Sequence, residues 1–122
     1  MAKRILVVDD DEMVLMAVYE LLNPEGYEVE CMSRASEALK KLEDQALYDL
    51  LILDIIMPEM DGFQLCMRTR EMDRYKEVPI VFLTAKSREE DKAQGIKAGA
   101  NLFLSKPISP ESLLSIVSDT LG

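Results

Sequence analysis

The chain has 122 residues, enough for one compact domain with its own core and too few for two. Apolar residues make up 48% and charged residues 30%, which excludes a disordered chain, and no apolar run approaches the roughly 20 residues of a membrane span. Lys and Arg total 14 against 23 Asp and Glu, and a net charge of −9 disfavours nucleic acid and anionic membranes as direct partners.

Met1-Ala2-Lys3-Arg4 leads into Ile5-Leu6-Val7-Val8, a continuous apolar run that reads as a strand covered on both faces. The run is too short for a signal-peptide core and no cleavage site follows, so a cytoplasmic location is expected. After Asp9-Asp10-Asp11, a helix is predicted over Glu12 to Leu22, stopped by the breaker cluster Asn23-Pro24-Glu25-Gly26. Tyr27 to Met32 alternates apolar and acidic, which predicts a strand at a sheet edge with one exposed face. A second helix over roughly Ala35–Leu42 places Ala38, Leu39 and Leu42 on one face.

Leu50 to Leu53 is the third strand, and Asp54 follows it directly. The third helix follows Asp61-Gly62, with Phe63, Cys66 and Met67 predicted on its inner face. Ile80 to Leu83 forms the fourth strand and runs into Thr84-Ala85. Ser87-Arg88-Glu89-Glu90 has the spacing of a capping box opening a fourth helix, which Gly99 can end in the left-handed conformation. Leu102-Phe103-Leu104 is a short fifth strand followed by Lys106-Pro107, and Ser109-Pro110-Glu111 opens the last helix. Cys31 and Cys66 fit no zinc or redox spacing and read as reduced structural thiols. With no His in the chain, histidine is excluded from catalysis, metal ligation and phosphorelay here.

Strands alternating with helices over short connections predict an α/β domain spanning 1–122, a doubly wound five-stranded parallel sheet with helices on both faces. Ligands of such sheets bind beyond the carboxyl ends of the strands. Those ends carry Asp9, Asp10 and Asp11, then Asp54, Thr84 and Lys106. Taken singly, each has a plain explanation: carboxylates suit a helix start, aspartate begins turns, threonine caps helices and lysine is solvated. Together they describe a crevice in which converging carboxylates repel unless a divalent cation neutralises them. An all-oxygen ligand set without His or thiolate points to Mg²⁺.

The chain resembles a response-regulator receiver domain of two-component signalling, over essentially its whole length. The likeness rests on Ile5-Leu6-Val7-Val8-Asp9-Asp10-Asp11, on Asp54-Ile55-Ile56-Met57-Pro58-Glu59-Met60-Asp61-Gly62, on Pro79-Ile80-Val81-Phe82-Leu83-Thr84-Ala85, and on Lys106-Pro107, in that order. The resemblance implies a flavodoxin-like fold with strand order 2-1-3-4-5, in agreement with a charged second strand at an edge. It implies that Asp9 and Asp10 form the acidic pair, with Asp10 the more direct Mg²⁺ ligand. Asp54 is then the phosphoacceptor and a metal ligand, and the backbone carbonyl of Ile56 completes the metal site. Thr84 matches the hydroxyl that contacts the phosphoryl group, Lys106 the lysine that pairs with it, and Phe103 the switching aromatic. Met57-Pro58 and Asp61-Gly62 are assigned loop geometry rather than chemistry.

The implied partners are a sensor histidine kinase or a histidine phosphotransfer protein, and downstream either a protein target or a C-terminal output domain in a longer natural chain. The implied role is that of a signalling domain that catalyses only its own phosphorylation and dephosphorylation. The signal would surface on the face made by the fourth helix, fifth strand and fifth helix. A segment from Pro110 to Gly122 without Lys or Arg speaks against the charge-paired dimerisation of many DNA-binding regulators. Two rivals share the strand-end logic. A haloacid-dehalogenase-like phosphatase also phosphorylates an aspartate, but Asp9-x-Asp11 here lacks the Thr or Val expected next. A flavin-binding module would offer hydroxyls and amides after the first strand, where this chain offers three carboxylates.

Overall fold

The computed structural model describes residues 2–44 and 47–122, so Met1 of the N-terminal segment lies outside the described residues. The strands are β1 (Arg4–Val8), β2 (Glu28–Met32), β3 (Leu50–Leu53), β4 (Ile80–Thr84) and β5 (Leu102–Ser105). The helices are α1 (Glu12–Leu22), α2 (Ala35–Glu43), α3 (Gly62–Arg70), α4 (Glu89–Ala98) and α5 (Pro110–Leu121). All neighbouring strands pair in parallel, in the order β2-β1-β3-β4-β5. The expected fold and the expected edge position of β2 are both borne out.

Strand alternation explains the layering. Leu6, Val8, Leu51, Leu53, Ile80 and Phe82 pack on one side of the sheet, where α2, α3 and Ala98 of α4 contribute the cover. Ile5, Val7, Leu50, Ile52, Val81 and Leu83 pack on the other side with Leu15 and Val18 of α1 and Leu113 and Val117 of α5. Burying each Leu, Ile or Phe side chain contributes roughly 1.5–3 kcal/mol, so this two-sided core outweighs any single surface ion pair.

Two local expectations are corrected. The cap of α4 is Arg88, whose N–H donates to Asp91 Oδ2 at 3.1 Å, rather than Ser87 with Glu90. The one-residue shift follows burial: Asp91 is 3% exposed and can turn inward, whereas Glu90 is an exposed residue. Met67 lies outside the core at 52% exposure, and the inner face of α3 is formed by Phe63, Leu65, Cys66 and Thr69. The acidic face of the edge strand β2 also makes a contact of its own. Glu30 accepts from the Tyr48 hydroxyl at 2.8 Å, and burial together with Glu30 pushes the Tyr48 phenol up. The two cysteines are free, and each thiol donates to a backbone carbonyl, Cys31 to Leu15 and Cys66 to Ala98.

Candidate functional site

Backbone hydrogen bonds continue the sheet one residue past β1 and β3. Asp9 N–H donates to Met32 O at 3.1 Å, and Asp54 N–H donates to Val8 O at 2.9 Å. The two aspartates are thereby set side by side at the carboxyl edge, 2% and 5% exposed, while Asp10 is exposed beside them. One carboxylate oxygen from each of Asp9, Asp10 and Asp54 lies within 4.8 Å of the others.

Lys106 enters from the loop after β5. Its Nζ lies 2.8 Å from Asp9 Oδ2 and 3.0 Å from Asp54 Oδ2, and its own N–H donates to Thr84 O at 2.9 Å. The peptide between Lys106 and Pro107 is cis. Burial pushes the Asp9 carboxyl above its ordinary value, and the nearby Asp54 adds to the rise against the pull of Lys106 and the Asp11 N–H. Burial works to lower Lys106, but its bonds to Asp9 and Asp54 prevail and hold it above its ordinary value. One ammonium therefore sits between two buried acids.

Asp54 Oδ1 accepts from Ile55 N–H at 2.7 Å and lies 3.4 Å from Ile56 N. Ile56 exposes 59% of its surface at the mouth of the crevice. Thr84 ends β4, fully buried, and its Oγ1 accepts from Lys86 N–H at 3.1 Å. Asp11 stands apart from the acidic cluster. It is the N-cap of α1, its side chain accepting from Met13 N–H, and its own N–H donates to Asp9 Oδ1 at 2.9 Å. Phe103 is not in the crevice: it pairs in register with Phe82, the ring centroids 5.3 Å apart.

One support was not apparent beforehand. Asp11 orients Asp9 through its backbone, which no side-chain pattern announces. Gly62, expected to serve loop geometry, does so by close approach: an added Cβ would fall 2.1 Å from the Asp54 carbonyl oxygen. Its N–H donates to Ile55 O at 2.8 Å, and the Asp61–Gln64 capping box fixes the helix that carries it. Glu59 reaches the left-handed region at φ 72° in the intervening loop.

A doubly wound sheet with three acids and a lysine gathered at its carboxyl edge describes a class of phosphoryl-handling signalling domains. The family model of the response regulator receiver domain matches residues 5–118, and the chain belongs to that family. It is 40% identical over 113 residues to the alkaline phosphatase synthesis transcriptional regulatory protein PhoP of Bacillus subtilis, covering 93% of this chain and 46% of that protein. It is 39% identical to the response regulator Rre1 of Synechocystis, over 97% of this chain and 51% of that one. The chain thus spans about half the length of these curated relatives.

Among solved structures, the chemotaxis protein CheY4 of Vibrio cholerae is similar with a TM-score of 0.93 and 36% identity, covering 98% of this chain and 99% of that one. The receiver domain of the sensor histidine kinase PA1611 of Pseudomonas aeruginosa, described with magnesium in its active site cleft, is similar with a TM-score of 0.90 and 27% identity, covering 100% and 99% of the two chains. The chain is a receiver domain of two-component response regulators, and the phosphatase and flavin readings are set aside. No described helix is long and apolar enough to cross a membrane.

Proposed function

We propose that residues 1–122 form one receiver domain that accepts a phosphoryl group on Asp54 from the phosphohistidine of a sensor kinase or phosphotransfer protein in the cytoplasm. The observation that carries this reading is the Asp54 carboxylate bracketed by Lys106 and by Asp9 and Asp10. Asp54 acts as nucleophile through a carboxylate oxygen, and Lys106 neutralises charge on the incoming oxygens. Asp9, Asp10 and Asp54, with the Ile56 carbonyl, would hold Mg²⁺, which supplies further charge compensation at the phosphoryl group. The fit rests on donor chemistry: three convergent carboxylates in a chain without His, its cysteines bonded elsewhere.

The product adds about one to two negative charges to the crevice. The Thr84 hydroxyl then turns from Lys86 N–H toward the phosphoryl oxygens, Phe103 shifts with it, and the face of α4, β5 and α5 changes. Turnover is confined to the domain's own acyl phosphate. The downstream reader is a protein target or an output domain, and with a net charge of −9 the domain does not itself grip nucleic acid.

Incubation with a small phosphodonor and Mg²⁺ is expected to add one phosphate per chain, seen by mass spectrometry, and chelation is expected to prevent it. Modification that is independent of metal would overturn the reading.

Metal binding alone is expected to raise the melting temperature, because a ligand held by the folded state stabilises it by mass action. Asp10→Asn should blunt this rise clearly, and Asp11→Asn should leave it nearly intact, since Asp11 is engaged in capping α1. Equal effects of the two substitutions would remove Asp10 from the ligand set.

A further inference from the structure

Gly95 occupies the seventh of the ten positions of α4, well inside the helix, where glycine is the least favourable residue but proline. Its neighbourhood explains the choice. A Cβ placed there would lie 2.4 Å from Phe103 Cε1 and 2.5 Å from Cζ, closer than carbon atoms pack, and 3.3 Å from Phe82 Cδ2. The tip of the Phe103 ring therefore rests directly on the helix backbone.

We propose that the missing side chain at Gly95 is the seat of the Phe103 ring, and that this pair determines how α4 responds to the state of the crevice. The proposal rests on the reading of Phe103 as the moving aromatic and adds the residue that governs its position. The geometry gives the direction of response. The two close atoms belong to the free end of a side chain that can swing about its first torsion, whereas the helix is held at its far end: Arg70 donates to Gly99 O through Nε and Nη2. A Cβ at position 95 thus evicts the ring sooner than it displaces the helix, with Phe82 yielding by a few tenths of an ångström.

The seat is also connected to the chemistry. Phe82 and Thr84 are two residues apart on β4 and so face the same side of the sheet. Phe103 and Ser105 are their register partners on β5. The ring is consequently a diagonal neighbour of Thr84, on the same face. On its other flank Phe82 packs edge-on against Phe63 of α3 at 5.5 Å, so that side of the ring is closed by aromatic packing. Phe103 is itself partly exposed, so the ring is not sealed in the core.

Three variants test this, Gly95→Ala, Phe103→Ala and the double substitution. In the unmodified protein, NMR contacts between the Phe82 and Phe103 rings should be strong, and Gly95→Ala should abolish them. The double variant should melt roughly 4 °C above Phe103→Ala, because without the ring the alanine brings only its better helix propensity. Gly95→Ala should accept phosphate on Asp54 at the wild-type rate while the phosphate-induced amide shifts across Glu89–Ala98 are largely lost. Persistence of the ring contacts in Gly95→Ala overturns the proposal. So does a double variant that melts at or below Phe103→Ala, since the crowding would then come from the helix packing itself. Wild-type shifts across α4 in Gly95→Ala also overturn it. Failure of the wild-type protein to accept phosphate would instead fault the receiver reading, and the ring contacts and melting temperatures, measured without phosphate, would still decide where the ring sits.

Discussion

Asp54→Ala is expected to eliminate phosphate incorporation altogether, at any concentration of small phosphodonor and with Mg²⁺ present. Among the described residues Asp9 is the only other acid buried at the crevice; each of the two acids accepts one backbone N–H on Oδ1 and holds Lys106 on Oδ2, Asp9 at 2.8 Å and Asp54 at 3.0 Å. Asp54 differs in its setting: it stands at the end of the central strand β3, flanked by the Asp9 end of β1 and the Thr84 end of β4. Asp54→Asn should behave identically, because an amide keeps the shape and loses the nucleophile. Neither loss should be explained by unfolding. Removing Asp54 relieves Asp9 of a like charge and leaves the Asp9–Lys106 pair intact, so the melting temperature should hold or rise. Mass spectrometry and a thermal melt on the same samples decide the matter. Retained labelling would move the acceptor elsewhere, and a collapsed melt would void the comparison with wild type.

Lys106→Met should have the largest effect on stability of any substitution in the crevice. The side chain is 19% exposed and sits between carboxylates 3% and 7% exposed, so its loss leaves two buried acids facing each other. Breaking such an arrangement by removing one partner costs about 3 kcal/mol or more. The sign of the pH dependence follows from the shifts. Lys106 titrates above its ordinary value, so its contribution is complete at neutral pH and disappears only as alkaline pH passes through that raised value. Asp9 also titrates above its ordinary value, so the fold favours its protonated form. Its stability contribution is present in acid and declines as pH rises from the ordinary aspartate value through the raised one. Without Lys106 that decline steepens and moves to higher pH. The variant should therefore melt far below wild type at neutral pH and recover a large part of the difference in mild acid. Mg²⁺ should also restore part of it at neutral pH, because a divalent cation replaces the missing positive charge. A pH-independent deficit would show that Lys106 acts through packing of its methylene stem rather than through charge.

Much of this architecture was readable before any coordinates. β1, β3 and β4 are continuous apolar runs because both of their faces are covered, and polar residues, Asp9, Asp54 and Thr84, mark their ends because backbone there emerges from the sheet. The crevice was readable for the same reason: Asp9, Asp54 and Lys106 each follow a strand, and parallel topology brings those points together whatever the intervening sequence. What escaped depends on distances between elements. The start of α4 differs by one residue from the expectation because local preference favours Ser87 as the cap, and only the burial of Asp91, which takes the Arg88 N–H, shifts it to Arg88. The exposure of Met67 reflects where α3 rests on the sheet, which its spacing alone does not determine. Gly95 carries a faint signal, a lone glycine within a helical pattern, but its meaning appears only once the Phe103 ring is seen against it.

The contact of Gly62 with the Asp54 carbonyl has a mechanical consequence. On that side the acceptor is clamped: a Cβ would not fit, the Gly62 N–H grips Ile55 O, and a capping box stiffens the support. On the opposite side, the Thr84 hydroxyl is tethered to its own loop by one hydrogen bond from Lys86 N–H, and beyond it the Phe103 ring is only partly buried. The crevice therefore resembles a vice with one fixed and one sliding jaw. If Asp54 takes up charge as proposed, the fixed jaw resists and the displacement is expected toward β4 and β5. On that proposal the asymmetry of the two walls sets the direction of the signal, and enlarging residue 62 is expected to loosen the wrong jaw.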